Sequence, residues 1–131
     1  SVTSYTELCR EAEACERHNR LQPLDAEQEP YLRALFANES GPVIAVSDYM
    51  KALPNSIARW MPKNFTSLGT DGFGLSESRP DLRDHFEISH RHIIHAAMVG
   101  LYRDGKINKA ALEKQMKEAD IVGDKLDPMA R

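Results

Sequence analysis

Apolar residues recur at helical spacing over several stretches of the chain, and short β-type runs stand between them. This alternation predicts helices separated by brief strands. Ser1–Ser4 is a β-type run and reads as an opening strand. Leu8, Ala12 and Cys15 then stand at i, i+4 and i+7, which predicts a helix from Thr6 to about Arg20, capped by Ser4 or Thr6. Its outer face carries Glu13/Arg17 and Glu16/Arg20, both in the favourable i, i+4 order. A polar connection from Leu21 to Glu29 contains Pro23, and Pro30 is suited to open a short second helix through Leu35-Phe36. After the break at Gly41-Pro42, Val43–Val46 reads as a buried strand. Met50, Leu53, Ile57, Trp60 and Met61 outline a further helix that Ser47 or Asp48 would cap. Pro54 interrupts it, so its first turn is distorted or it begins near residue 53.

Phe65–Leu68 reads as another strand, followed by a loop with Gly69, Gly72 and Gly74, and Pro80–Phe86 as one or two short helical turns. Ser89 is placed to cap the longest helix, with an apolar stripe of Ile93, Ile94, Ala97, Met98 and Leu101 and Gly105 at its C′ position. Asn108 would cap a last helix bearing Ala111, Leu112, Met116 and Ala119. Long helical connections between strands predict a parallel α/β sheet with helices on both faces. Three strands make a thin sheet for such a domain, so a missing strand or strands is expected upstream of Ser1. The start has no initiator Met and no lead-in, and reads as a cut. Asp127-Pro128-Met129-Ala130-Arg131 reads as a natural stop, and the whole as the C-terminal piece of something longer.

With 131 residues and 14.8 kDa, the chain fits one domain, residues 1–131. Lys and Arg number 17 against 20 Asp and Glu, a net charge of -3, and no segment holds the basic excess that phosphate neutralisation needs. Nucleic acid is therefore not an expected partner. The longest apolar run, Val43–Val46, is far too short to span a bilayer and no signal peptide opens the chain, so neither a membrane nor a secreted protein is expected. Cys9 and Cys15 lie on one predicted helix, at least ~9 Å apart, too far for a disulfide. Two free thiols suit a reducing, cytoplasmic setting, and each reads most simply as a small buried hydrophobe.

The chemistry-bearing patterns are incomplete. Gly72-Phe73-Gly74-Leu75-Ser76-Glu77 follows a strand, where a dinucleotide fingerprint would sit, but Glu77 replaces its third glycine. Gly74-Leu75-Ser76-Glu77-Ser78 approaches a nucleophile elbow around Ser76, with Ser78 in place of the closing glycine. Asp71-Gly72-Phe73-Gly74 resembles a kinase magnesium motif without the other kinase elements. His85, His90, His92 and His95 cluster in sequence, and His92 and His95 share one helical face at i, i+3. The helical wheel puts that face opposite the Ile93/Ala97/Leu101 stripe, toward solvent or a partner. Glu77, Asp81 and Asp84 could pair as carboxylates, though nothing local fixes their geometry. Trp60 and Met61, at helical spacing with Ile57, read as core.

Tyr49-Met50-Lys51 through Trp60-Met61-Pro62, Leu68–Gly74, Ser76–Arg79 and Leu82–Glu87 together resemble a known family. Cys15-Glu16-Arg17 with Asn19 and Leu21, and Gly105-Lys106-Ile107, fit the same pattern. The chain resembles the C-terminal domain of the homodimeric bacterial pyruvate dehydrogenase first component, a decarboxylating enzyme of transketolase-like architecture. The resemblance implies an α/β, three-layer sandwich with a mainly parallel sheet, here lacking its first strand, as the last of three domains. It further implies thiamine diphosphate and Mg²⁺ in the parent enzyme, pyruvate decarboxylation, and acetyl transfer to the lipoyl group of an acetyltransferase component. In that family the cofactor lies between the first two domains of opposite subunits. No catalytic, cofactor-binding or metal-binding residue is therefore expected in this segment, and dimer packing is its expected role. Asp71 to Arg79 is the loop expected to matter structurally. The same domain of an enzyme for another 2-oxo acid or for ketol transfer, or a stand-alone binding module using the histidine face, are the alternatives.

Overall fold

The computed structural model describes residue 2, residues 4–70 and residues 79–128. The elements run α1 (Tyr5–Leu21), α2 (Tyr31–Phe36), β1 (Val43–Val46), α3 (Ala52–Asn55), a 3₁₀ turn (Ala58–Trp60), β2 (Phe65–Leu68), α4 (Arg79–His85), α5 (His90–Arg103) and α6 (Lys109–Glu118).

Ser4 opens α1 by accepting the Glu7 N–H on its hydroxyl (3.1 Å). That role displaces the opening strand expected over Ser1–Ser4. Its two described residues, Val2 and Ser4, lie in no strand, and Ser4 is given to the helix. Glu11 ties α1 to α2: one carboxylate oxygen accepts the Tyr31 N–H (3.1 Å) and the other the Cys15 thiol (3.2 Å). Asn19 fastens the intervening connection by exchanging two hydrogen bonds with the Gln28 backbone, at 2.8 and 2.9 Å. The expected helix around Met50–Met61 is broken into α3 and the 3₁₀ turn. Pro54 sits inside α3, cannot donate to a longer ladder, and is itself fully buried. Neither Ser47 nor Asp48 caps this helix; Lys51 stands at its start.

β1 and β2 are parallel, as expected, and in register from Val43↔Phe65 to Val46↔Leu68. They are the two strands of the sheet among the described residues. Two helical groups flank it. Ala12 of α1, Leu32 of α2, Ile57 and Trp60 form the main core, with Leu8, Phe36, Met61 and Phe65 packed around them. On α5, Gly100 lets the helix close against β1: a Cβ there would stand 2.5 Å from the Pro42 Cβ. α5 ends in a left-handed Gly105 (φ 73°), with Gly105 N–H donating to Tyr102 O and Lys106 N–H to Leu101 O, both pairs a helix terminus otherwise leaves open. Asn108 opens α6 by accepting the Ala111 N–H (2.8 Å). The mixed α/β fold with a parallel sheet agrees with the expected class.

Candidate functional site

The densest polar cluster lies where α4, α5 and α6 meet. α4 stops because Glu87 takes a left-handed backbone (φ 62°), while Ile88 N–H donates back to Arg83 O (2.8 Å) and Phe86 and Ile88 bury themselves. The chain turns into α5, whose second residue, Arg91, reaches back to Asp84, its Nη2 donating to Oδ2 at 2.7 Å. The same guanidinium donates through Nη1 to Ala119 O (2.8 Å) and Asp120 O (2.7 Å) at the end of α6. One side chain thus joins a carboxylate of α4 to the negative terminus of α6. The Arg91 guanidinium holds the Asp84 carboxyl below its ordinary range, against the opposing effect of burial.

His92 and His95 occupy the inner side of α5, not the solvent side that the helical wheel predicts. His92 is 11% exposed along its side chain and shares a 2.9 Å hydrogen bond with Ser89 Oγ, which also reaches Asp84 Oδ1 (3.3 Å). His95 Nδ1 pairs with Gln115 Oε1 of α6 at 2.9 Å. Ile94, counted in the apolar stripe, is 52% exposed instead. The reason is that α5 has two packed sides, one on β1 and one on α6, so its apolar residues are not a single inward face. Burial depresses the His92 imidazole, with Asp84 opposing.

The sign of the pH effect follows. A histidine held neutral in the fold contributes stability that is complete above its ordinary value of 6.5 and is lost as pH falls through its lowered folded value. Asp84 adds a second loss in stronger acid, below 3.8. We expect denaturant stability to fall as the pH drops below the ordinary imidazole value of 6.5, and His92→Gln to flatten that limb while leaving the acid limb. An unchanged slope in the variant would show that His92 does not titrate with folding.

The other candidates do not converge. His85 stacks edge-on against Phe86 (4.9 Å between centroids), and His90 is exposed. Among the described residues, no three His, Cys, Asp or Glu are grouped closely enough to hold a metal ion. Gly72, Gly74, Ser76, Glu77 and the rest of 71–78 lie outside the described residues. The loop from Asp71 that was expected to matter structurally is therefore outside them as far as Ser78. Asp81 is exposed and Asp84 is spent on Arg91, so Asp81 and Asp84 do not act as a carboxylate pair. Both cysteines are free, and burial raises both thiols, Cys15 further through Glu11 and Cys9 through Glu13, which keeps them protonated rather than nucleophilic.

Sequence reasoning missed Arg91. One signal was available: a cation in the first turn of a helix opposes the helix dipole, so it needs a partner elsewhere. Near it a polar cleft of about 240 Å³ is lined by Lys51, Gly69, Phe86, Glu87, Lys125, Asp127 and Pro128. A second feature is apolar. A trough of about 810 Å³ runs beside β1, lined by every residue from Val43 to Ser47, by Tyr5, Leu8, Tyr31 and Leu35 of the helices, and by Val2. A sheet face presents alternate residues, whereas consecutive ones line this trough, so it includes the open edge of β1.

The sequence matches a known domain family. Residues 1–89 match the transketolase-like C-terminal domain family. The chain belongs to that family. This transketolase-like domain is 43% identical over 129 residues to a protein named pyruvate dehydrogenase E1 component from Buchnera aphidicola subsp. Schizaphis graminum, covering 98% of this chain and 14% of that protein. It is 38% identical over 129 residues to the protein of the same name from Escherichia coli K12, again 98% and 14%. It is 44% identical over 108 residues to that of Mycolicibacterium smegmatis, 82% and 12%. The relatives' similarity extends through α5 and α6, beyond the part the family match covers, while this chain spans about one seventh of their length. No helix among the described residues is long and apolar enough to cross a membrane.

Proposed function

We propose that this chain is the closing domain of a pyruvate dehydrogenase first component, and that its work is packing and assembly rather than chemistry. In this reading residues 1–131 form one domain. Thiamine diphosphate and Mg²⁺ are held by the upstream domains of a cytoplasmic homodimer, which decarboxylates pyruvate and passes the acetyl group to a lipoyl-bearing acetyltransferase. When bound, that cofactor supplies the carbanion chemistry. The carboxylates at the polar junction do not suit it: Asp84 is bound by Arg91, and two carbonyls at the end of α6 share the same cation. No catalytic step is assigned to these residues.

The observation that carries the reading is the trough along β1. Val43–Val46 is wholly apolar, the composition of a strand buried on both sides, yet it is half-buried with Val46 exposed. Val2 itself lines the trough. An upstream segment adding as a strand would cover Tyr31, Leu35 and Val46 together. The test is turnover. The full-length protein with thiamine diphosphate, Mg²⁺, pyruvate and a lipoyl acceptor is expected to release CO₂, and residues 1–131 alone are not. Decarboxylation by the segment alone would overturn the reading.

A further inference from the structure

Residues 121–128 form no helix or strand and lie along the end of α4. Lys125 Nζ donates to the His85 backbone oxygen (2.8 Å) and stands 3.4 Å from Glu87 Oε1. Apolar burial does little to anchor this stretch, since Leu126 is 83% exposed and Val122 55%. Between the stretch and the body of the domain lies the polar cleft. Lys51, Gly69, Phe86 and Glu87 line one side, and Lys125, Asp127 and Pro128 the other. Gly69 directly follows β2, so the cleft sits at the carboxyl end of a parallel sheet, the end where α/β domains bind ligands.

Lys125 meets two sources of negative potential. His85 is the last residue of α4, so its carbonyl belongs to the negative end of that helix. Glu87 follows in a left-handed conformation (φ 62°) that favours glycine. Backbone geometry alone therefore calls for glycine, and the glutamate adds a carboxylate facing the lysine. The left-handed turn that ends α4 thus also sets the Glu87 carboxylate beside the lysine.

We propose that residues 121–128 are a strap held across the cleft by the Lys125 cation, and that releasing this contact opens the carboxyl end of β2. Asp127 on the strap and Lys51 on the opposite wall also make polar contacts of their own, so Lys125 is the latch at the α4 end of the strap and not its sole polar attachment. The latch is ionic and 28% exposed at the lysine, so an anion able to compete for the ammonium would loosen it.

The test measures strap position in the full-length protein by spin-label distances. Labelled chains, cleared of other reactive cysteines, are diluted with unlabelled ones so that distances within one chain are read. The strap pair is Leu126→Cys with Glu113→Cys on α6. A reference pair, Ile94→Cys with Glu113→Cys, reports whether α5 and α6 stay packed. The expected result is one narrow strap distance in the parent and in Lys125→Arg, with at least a twofold broadening in Lys125→Met and no change in the reference pair. A Lys125→Met distribution as narrow as the parent's would overturn the proposal. So would a parent already broad, or a reference pair that broadens together with the strap.

Discussion

Truncating Trp60 to alanine is expected to remove about 3–5 kcal/mol of stability, a large share of the roughly 5–15 kcal/mol that holds an ordinary domain folded. The ring is 3% exposed and packs with Ala12, Leu32 and Ile57, so its loss leaves a cavity bounded by three separate elements. It also has a polar attachment: the indole N–H donates to Glu16 Oε1 (2.9 Å), and the Arg59 guanidinium lies 4.6 Å from the ring centroid. Glu16 therefore joins α1 to two of the three residues of the 3₁₀ turn, Arg59 and Trp60. Trp60→Phe keeps most of the apolar area and removes the donor, and should cost only about 1–2 kcal/mol. Trp60 is the segment's one tryptophan, so unfolding is best followed by far-UV circular dichroism. A loss below about 1 kcal/mol for the alanine variant would mean that Trp60 does not hold the core together.

The sequence made some of this architecture readable because the relevant signals are local. Val43–Val46 is a short apolar run and Phe65–Leu68 a short stretch with apolar ends, and both are strands. Ser4 and Asn108 are caps whose partners lie three residues on, within reach of any sequence pattern. The failures are non-local. His95 finds Gln115 twenty residues away and Arg91 finds Ala119 twenty-eight away, across a helix boundary that no periodicity spans. The stripe on α5 misled because it assumes one buried face, whereas the helix is wedged between β1 and α6. Ser1–Ser4 misled because β-branched composition says nothing about whether a neighbouring strand exists to pair with. The polar junction of α4, α5 and α6 was therefore visible as residues but not as an arrangement. The family resemblance carried what local patterns could not, since residues 49–87 resemble the family although their own chemistry is incomplete.

The largest expected effect concerns the backbone of β1. Val43 N–H donates to Asn64 O (3.0 Å) and Ser47 N–H to Leu68 O (2.9 Å), so the strand's odd-numbered residues face β2. In a parallel ladder alternate residues serve opposite neighbours, which leaves the Ile44 and Val46 N–H groups directed at the open edge. If an upstream strand fills the trough in the full-length protein, those two amides are hydrogen-bonded in the middle of a sheet. Their exchange with solvent then requires opening of the sheet. Protection on the order of 10³-fold or more is expected, as for core strands generally. If β1 is a true edge, they meet water directly and exchange with little protection, while Val43 and Ser47 remain slow.

Amide hydrogen exchange resolved to single residues across Val43–Ser47, in the full-length protein, is the measurement to make. The account predicts Ile44 and Val46 as slow as Val43 and Ser47. Fast exchange confined to Ile44 and Val46 would contradict it, because the edge that defines this segment as the closing part of a larger sheet would be exposed.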